Sequence, residues 1–518
     1  MAIAVTPNMT DVSMCEATTG WAGGIANLLL QSTAYIQGNY SLAAWINNTT
    51  SAVEYYTITA TSLVGQHVYA WMLCNGRVDT KANGGYRIVL YTDASNYATF
   101  YVGGNDTHSN GWNLLCCSAD ATPTAEIGTF NPASVTMIGI QFKTITIATK
   151  QGQTYIQNCF WDAVRYGSGL TITSGATDAI CLEDIFAVDD DVTYKYGVVQ
   201  KSYGSYIIQG KLIFGSASSG DIDFADTNQV VVFPDNDLVA DSFYGIQVLG
   251  NSSGTSNFTL GENSSGSGIS GCTFKAVGTK TYSLDVSTSD NDVIGIYGSN
   301  FINAGTITMP ASGANKEMLN CNITTMDGVV ISTCKIENCN FISADDEAVN
   351  MSSTSHTLKN SNFISNPNAV RITTAGVYTF DNLKFTGNTV DIDNTSGGSV
   401  TVNCINLSNP TTYTGTTTIN YPVDISVEVI DVAGDPIETA QVAVYKTSDN
   451  TEILNTDTDS NGLAETTFNY TTSTPIYVRI RKSSTGDTKY LPVSSTGTIT
   501  NLGFTATYTL IEDTTATT

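Results

Sequence analysis

The chain has 518 residues, 41% apolar and 9% aromatic, with only 13% charged and a net charge of −26 from 47 acidic against 21 basic side chains. That apolar share can fill cores and excludes a disordered chain, which combines few apolar residues with high charge density; the acidic surplus, with its few scattered cations, repels phosphate backbones and argues against a nucleic-acid partner. No run reaches the roughly 18 consecutive apolar residues of a spanning helix, so no membrane insertion is expected.

The opening residues, MAIAVTPNMTDVSM, carry neither the basic start nor the apolar stretch of about 7 to 15 residues that a secretion signal needs. Yet Ser, Thr, Asn and Gly dominate, as on a surface that meets the outside of a cell. Assembly in the host cytoplasm followed by release on a particle reconciles the two observations, as does an export form without its leader. All five Trp (Trp21, Trp45, Trp71, Trp112, Trp161) fall in the first third, and the composition changes near residue 150. Before that point YSLAAWI (40–46), HVYAWML (67–73), YRIVLYT (86–92), YATFYVG (97–103) and VTMIGIQF (135–142) read as strands between Gly, Asn and Asp turns, an antiparallel sandwich over residues 1–150. The order of these runs, with YRIVLYTDASNYATFYVGG as a long hairpin, resembles the jelly roll of concanavalin A and laminin-G-like domains.

From 151 to 420 the signal is an internal repeat. Aligning GCTF, GSNF, NCNI, NCNF, NSNF, NLKF and CINL on Phe274, Phe301, Ile323, Phe341, Phe363, Phe385 and Leu407 gives steps of 27, 22, 18, 22, 22 and 22. A second ladder, Ile336, Leu358, Phe380 and Val402, keeps the step of 22, and a third apolar pair recurs as Val349/Met351, Val370/Ile372 and Val390/Ile392. Three short strands per 22 residues leave no room for helices and point to a parallel β-helix, regular over 271–407 and stacking at about 4.8 Å per coil, about 30 Å for seven coils. Cys321, Cys339, Ile323 and Phe341 then face inward, while Asn300, Asn322, Asn340, Asn362 and Asn406 form an outer amide ladder, read as structural in preference to sugar-binding. IQNCFW (156–161) and CLEDIF (181–186) read as irregular early turns of the same coil. The eleven Cys include no C-x-x-C pair and are read as reduced, mostly buried fillers; of the adjacent Cys116 and Cys117, at most one is expected in a core.

After 420 an ordinary alternation returns in VDISVEVIDVAGDPIETAQVAVYKT, TDTDSNGLAETTF and IYVRIRK, a small β-sandwich over 421–513 followed by a tail at 514–518. Gly434-Asp435-Pro436, Ala440-Gln441-Val442 and Thr456 through Ala464 resemble bacterial immunoglobulin-like and carboxypeptidase-regulatory-like modules. The fold class is therefore all-β throughout: jelly roll, parallel β-helix, Ig-like sandwich.

Chemistry is sparse. Asp457-x-Asp459-x-Asn461-Gly462 is half of a calcium loop, but Phe468 stands where a bidentate Glu is needed, and a hairpin turn is preferred; no metal site and no cofactor are expected. Polysaccharide cleavage would need two carboxylates about 5 to 10 Å apart. Asp189-Asp190-Asp191, Asp221 with Asp223 and Asp226, Asp290 with Asp292, and Asp345-Asp346-Glu347 are candidates, but turns favour Asp anyway, and the coil holds only Arg165 and Arg371 as guanidinium groups. His67, His108 and His356 receive no role, and no catalytic residue is assigned. Trp71, Trp112, Tyr86 and Tyr101 have flat faces that stack on pyranoses; Trp71 and Trp112 are the carbohydrate-binding candidates, although aromatics in a sandwich more often fill its core.

Taken together the three modules resemble the spike, fibre and decoration proteins of tailed bacterial or archaeal viruses. The resemblance implies a virion structural protein that forms a rigid surface projection on capsid or tail. Its implied partners are copies of itself in a homotrimer, other virion proteins and host-surface polysaccharide, and its site is the virion, exposed extracellularly. A tailspike depolymerase with paired carboxylates and a secreted cell-surface adhesin are the alternatives.

Overall fold

The computed structural model describes residues 4–24, 28–47, 51–108, 110–145, 156–173, 179–189, 196–215, 222–224, 227–249, 257–265, 268–286, 293–309, 316–324, 328–331 and 334–515. Among them the fold is all-β, with one α-helix, Leu182–Asp189. The chain forms two compact units, Met1–Val330 and Ile331–Thr518.

In the first unit an antiparallel sandwich is built from two sheets. One has the strand order Ala125–Ile127, Asn96–Gly103, Tyr86–Asp93, Val135–Lys143, Ser51–Thr61, Trp21–Gly23. The other pairs Leu28–Gln31, Ser41–Asn47, Ile156–Thr173, His67–Cys74 and Gly111–Ser118. Alternate residues turn inward, so Leu42, Val68, Met72, Ile88, Leu90, Phe100, Ile138, Ile140 and Phe142 share one core with Trp161. The expected hairpin forms with Ile88 opposite Phe100. Asp93 sets its register, accepting from Ser95 N and Asn96 Nδ2, both at 2.8 Å.

Ile156–Thr173 serves both parts of this unit. Its first residues run antiparallel to Ser41–Asn47 and then to His67–Met72, whereas Gly169–Ile172 run parallel to Lys211–Phe214. One strand thus carries an antiparallel sandwich sheet into a parallel stack, and IQNCFW belongs to the sandwich instead of an early coil. CLEDIF is also corrected: it lies at the start of the helix. Leu182, Ile185 and Phe186 have helical spacing, and Asp184 reaches back to Cys181 N at 3.1 Å.

From there the chain visits three parallel sheets in rotation. The first continues through Lys211–Phe214, Gly245–Val248, Ser283–Asp285 and Ile307–Thr308; the second through Ile222–Phe224, Asn257–Leu260, Val293–Tyr297 and Lys316–Leu319; the third through Ser205–Ile208, Val230–Phe233, Thr273–Ala276, Asn300–Ile302 and Asn322–Thr324. Like stands over like: Phe274 stacks on Phe301 at 5.6 Å, and Asn322 Nδ2 donates to Asn300 Oδ1 at 2.8 Å. This stack covers the outer face of the second sandwich sheet. Cys116 lies there beneath Asn236, which donates to its carbonyl at 3.1 Å, while Cys117 enters the sandwich core, so both cysteines are buried where only one was expected.

Arg165 sits near this splice, 1% exposed, with Nε donating to Asp11 Oδ1 at 2.7 Å and a further bond to Gln37. Asp162, fully buried, accepts from Ile36 N at 2.9 Å and Gln37 N at 3.1 Å, while its Oδ1 has no hydrogen-bond partner. Burial pushes this carboxyl from 3.8 up to about 7 against the pull of those amides. Folding therefore binds a proton here that the unfolded chain releases, and stability falls as pH rises from 3.8 to about 7 and is flat above. Asp162→Asn is expected to flatten that slope and to raise stability at neutral pH by about 2 to 4 kcal/mol, read from urea denaturation across that pH range.

The second unit repeats the three-sheet coil at a step of 22. Asn340–Ile342, Asn362–Ile364 and Lys384–Thr386 stack in register, with Phe341, Phe363 and Phe385 at 5.0 and 5.2 Å and rings within 10° of parallel. Asn362 Nδ2 donates to Asn340 Oδ1 at 2.7 Å, so the amide ladder exists. Asn406 does not join it: the third sheet ends at Lys384–Thr386, and the chain turns through Asn406 and Leu407, both at positive φ, leaving Leu407 49% exposed. Two other registers differ from the alignment. Val370 pairs with Ile392, putting Val390 beside Asn368, and Phe380 pairs with Cys404, not Val402. Lys359 pairs with Asp381 and Val370 with Ile392, both at the step of 22, so the shift at Phe380 comes from two extra residues between Val390–Asn394 and Val400–Ile405.

The corners of the coil are set by the backbone. Asn338, Asn360 and Asn382 all lie at φ between 51° and 56°, and Ser343 and Ser365 at 54° and 56°. Left-handed φ brings Cβ against the following carbonyl, a strain that Asn and Gly tolerate best. The Asn three places before each aligned aromatic is therefore the corner residue. A buried second ladder supports the next corner: Asn366 Nδ2 donates to Phe341 O at 3.2 Å and to Asn388 Oδ1 at 3.0 Å.

Beyond the coil, Leu463–Asn469, Pro422–Ile430 and Phe504–Thr509 face a sheet of Glu452–Asp457, Gln441–Lys446, Thr474–Lys482 and Tyr490–Ile499. Ile425, Val427, Val442, Val444, Ile476 and Val478 form its core. The tail expected from 514 is described only to Thr515. At the exposed corner Asn338, replacement by Gly is expected to be nearly neutral and by Val to cost about 1 to 2 kcal/mol, a contrast visible in melting temperature.

Candidate functional site

Alternation on the six-stranded sheet of the first unit sends Ile88, Leu90, Phe100 and Ile140 inward and Arg87, Val89, Tyr91, Tyr97, Thr99, Tyr101 and Gln141 outward. Tyr91 lies 5.8 Å from Tyr55 and 4.9 Å from Tyr97 between ring centroids. Arg87 lies 4.4 Å over the Tyr101 ring, donates from Nη1 to Gln141 Oε1 at 3.2 Å, and is anchored by Gly84 O. Gly139 stands between Tyr55 and Val89, and a Cβ there would lie 3.0 Å from Val53 Cγ2 and 3.2 Å from a Tyr91 ring carbon. The bare backbone at 139 lets the rings close over the middle of the sheet. Burial, with Tyr97 and Tyr55 adjacent, pushes the Tyr91 phenol up to about 12, so it stays a neutral donor.

The result is a row of aromatic rings in which Tyr55, Tyr97 and Tyr101 are half-buried and Tyr91 is buried between Tyr55 and Tyr97, with a cation held against Tyr101 and amide and hydroxyl groups at its margin. Ring faces of this kind stack on the C–H faces of pyranoses, and the amide and guanidinium meet hydroxyls. Tyr101 was legible as a candidate. Tyr55, Tyr91, Tyr97 and Arg87 were not singled out, though the alternation of YRIVLYT and YATFY around a two-residue turn places four of these side chains on one face.

The other sequence candidates lie elsewhere. Trp71 is on the opposite sheet, 3% exposed, and its ring occupies the space beside Gly197, where a Cβ would come within 2.3 Å. Trp112, opposite Leu73 on the next strand, is half-buried. Tyr86 is 1% exposed in the core and donates to Leu73 O. The three His do not form a cluster: His67 stacks on Phe243 and burial lowers it to about 3, His108 Nδ1 lies 2.8 Å from Thr107 Oγ1, and His356 Nδ1 lies 2.8 Å from Ser353 O. Asp459 closes a tight turn, accepting from Asn461 N at 2.8 Å and Leu463 N at 2.9 Å, as the turn reading of that motif requires. Among the described residues no three His, Cys, Asp or Glu side chains converge as metal ligands, and no helix is long and apolar enough to cross a membrane.

Of the carboxylate candidates, Asp190, Asp191, Asp221, Asp226, Asp290 and Asp292 lie outside the described residues. Asp346 and Glu347 are brought together with Asp393 around one cation in the second unit: Arg371 reaches Asp346 at 2.9 Å, Glu347 at 2.5 Å and Asp393 at 3.0 Å. Arg371 holds the Asp346 carboxyl below its usual range, and the hydrogen bonds that the guanidinium donates to Asp346 and Asp393 raise it in turn. Glycoside cleavage needs an acid whose pKa is raised, and this cluster pushes Asp346 the other way. Arg371→Met is expected to lower stability by about 1 to 3 kcal/mol. The loss should be full above the ordinary Asp value of 3.8 and fade as pH falls through the lowered folded-state value, which thermal melts against pH would show.

No family model matches the chain, and no curated protein matches it. Solved structures that resemble parts of it include one from a study of carbohydrate-binding modules of the β-sandwich superfamily, at 10% identity and TM-score 0.19, over 32% of this chain and 56% of that one. The chain thus spans little more than half the length of that structure. The family 11 carbohydrate-binding module of a cellulosomal cellulase of Clostridium thermocellum matches at 9% identity and TM-score 0.21, over 32% and 96%. The catalytic unit of a thermostable α-1,3-glucanase of Streptomyces thermodiastaticus matches at 9% identity and TM-score 0.14, over 81% and 95%.

Proposed function

We propose that this chain is a glycan-binding virion structural protein, a spike, fibre or capsid or tail decoration whose sandwich holds host-surface polysaccharide on the face formed by Tyr55, Arg87, Tyr91, Tyr97, Tyr101 and Gln141. The observation that carries the reading is that face: aromatic rings and one fixed guanidinium on the outer side of a sheet whose inner side already has a complete core. Trp112, half-buried on the other sheet, is a secondary contact for the glycan, with Trp71 packed beneath the coil.

The coil supports the mechanical half of the proposal. Each rung of a parallel β-helix pairs its backbone with the rungs on either side, so no single rung opens cheaply. Its unpaired edges call for covering, which three copies in a homotrimer or other virion proteins would supply. The virion, assembled in the host cytoplasm and exposed outside the cell, is the proposed location; detection of the chain by mass spectrometry in purified particles supports it, and absence from them favours a cell-surface adhesin. The depolymerase alternative is disfavoured by the charge-paired state of Asp346, Glu347 and Asp393.

Tyr97→Ala combined with Tyr101→Ala is expected to weaken binding to host-surface polysaccharide by about 1 to 2 kcal/mol, with the melting temperature kept, as measured by affinity electrophoresis and thermal melts. Unchanged retardation in the gel would remove the face from the proposal.

A further inference from the structure

The four-stranded sheet of the second unit carries a groove on its outer face that the reading above does not use. Its floor is Ala443, which lies between Asn455 on one neighbouring strand and Arg479 on the other. One wall is Tyr445, whose ring is backed by Tyr477, stacked on it at 5.3 Å. The opposite wall is Gln441 with Arg481, whose Nε donates to Gln441 Oε1 at 2.6 Å. Arg479 lies 5.0 Å from the Tyr477 ring centre. The cavity between them measures about 560 Å³, within the size range of small-ligand sites.

Charge makes this groove unusual. The chain has six Arg and a net charge of −26, yet two of the six stand side by side here, exposed. Arg165 and Arg371 are each neutralised by carboxylates, whereas neither Arg479 nor Arg481 forms an ion pair among the described residues. Two acids flank the groove. Glu452 accepts from Tyr445 Oη at 3.3 Å and Asn455 Nδ2 at 3.0 Å, at the tyrosine end of the groove, and Asp457 lies opposite Gln441 without reaching either guanidinium. A guanidinium fork fits a carboxylate in two-point geometry, and Gln441 already orients the fork of Arg481. Tyr445, held in place by its stack on Tyr477, offers the aromatic surface that a pyranose ring covers. Glu452 repels an anion from the tyrosine end, so the carboxylate of a bound ligand points toward Arg479 and Arg481.

We propose that this groove binds an acidic glycan, a uronate-bearing saccharide whose ring lies against Tyr445 and whose carboxylate is held by Arg479 and Arg481. The site is separate from the sandwich face of the first unit and holds or fails independently of it.

The test uses the full chain with polygalacturonate as probe in calorimetric titration at low and high salt. Binding is expected, weaker at high salt, and at least about tenfold weaker in the Arg479→Gln/Arg481→Gln double variant with the melting temperature kept. Tyr445→Ala is expected to weaken it as well, whereas Tyr97→Ala/Tyr101→Ala leaves it unchanged. Three results would overturn the proposal: no binding of polygalacturonate, binding indifferent to both the arginine and the tyrosine variants, or equal binding of polyglutamate, which would make the groove a docking site for an acidic protein segment. Loss of host-polysaccharide binding in the Tyr97/Tyr101 variant alone speaks only to the first site.

Discussion

Parallel stacking in register is the constraint from which most of this molecule follows. A strand in a coil has neighbours only in the coil before and the coil after, and every buried N–H and C=O must find its partner there. Register then places each side chain over its equivalent, so the residue that suits one rung must suit a column. Phe363 lies between Phe341 and Phe385 with rings nearly parallel, and Asn362 donates its amide to Asn340. A column of one residue type satisfies itself, because an amide has both a donor and an acceptor and an aromatic ring has two faces.

The corners impose the second condition. To turn without breaking the pairing, the backbone enters the left-handed region twice in the regular coils, at Asn338, Asn360 and Asn382 and at Ser343 and Ser365. Asn tolerates that conformation and also carries an amide for the column, as Asn382 shows by donating to Asn360 at 2.9 Å. The abundance of Asn is thus demanded twice over, by strain at the corner and by hydrogen bonding along the face.

The two sandwiches obey a different rule and carry the proposed recognition surfaces for that reason. An antiparallel sheet buries one face and leaves the other to solvent. In the first unit the inner face of the six-stranded sheet is filled by Ile88, Leu90, Phe100 and Ile140, which frees the outer positions for Tyr91, Tyr97, Arg87 and Tyr101. In the second unit Val442, Val444, Val478 and Ile480 fill the core and leave Tyr445, Tyr477, Arg479 and Arg481 outside. A coil has few such vacancies, since its inner positions are columns of core and its outer ones are spent on ladders and ion pairs such as that around Arg371.

The amino-acid sequence alone determined the all-β character, the hairpin at 86–103, the step of 22 and the inward columns of Phe and Cys, because each rests on periodicity that repeats along the chain. Tertiary structure alone decided what covers what. Trp71 and Cys116 look like surface or half-core residues on their strands and are buried because the coil lies against their sheet. Asp346 and Glu347 look like turn acids and are gathered with Asp393 by Arg371, which stands on the rung between them. IQNCFW looks like a coil turn and is a sandwich strand, since its partners are Ser41–Asn47 more than a hundred residues earlier. Local pattern records which way a side chain points; only the folded chain supplies the surface it points at.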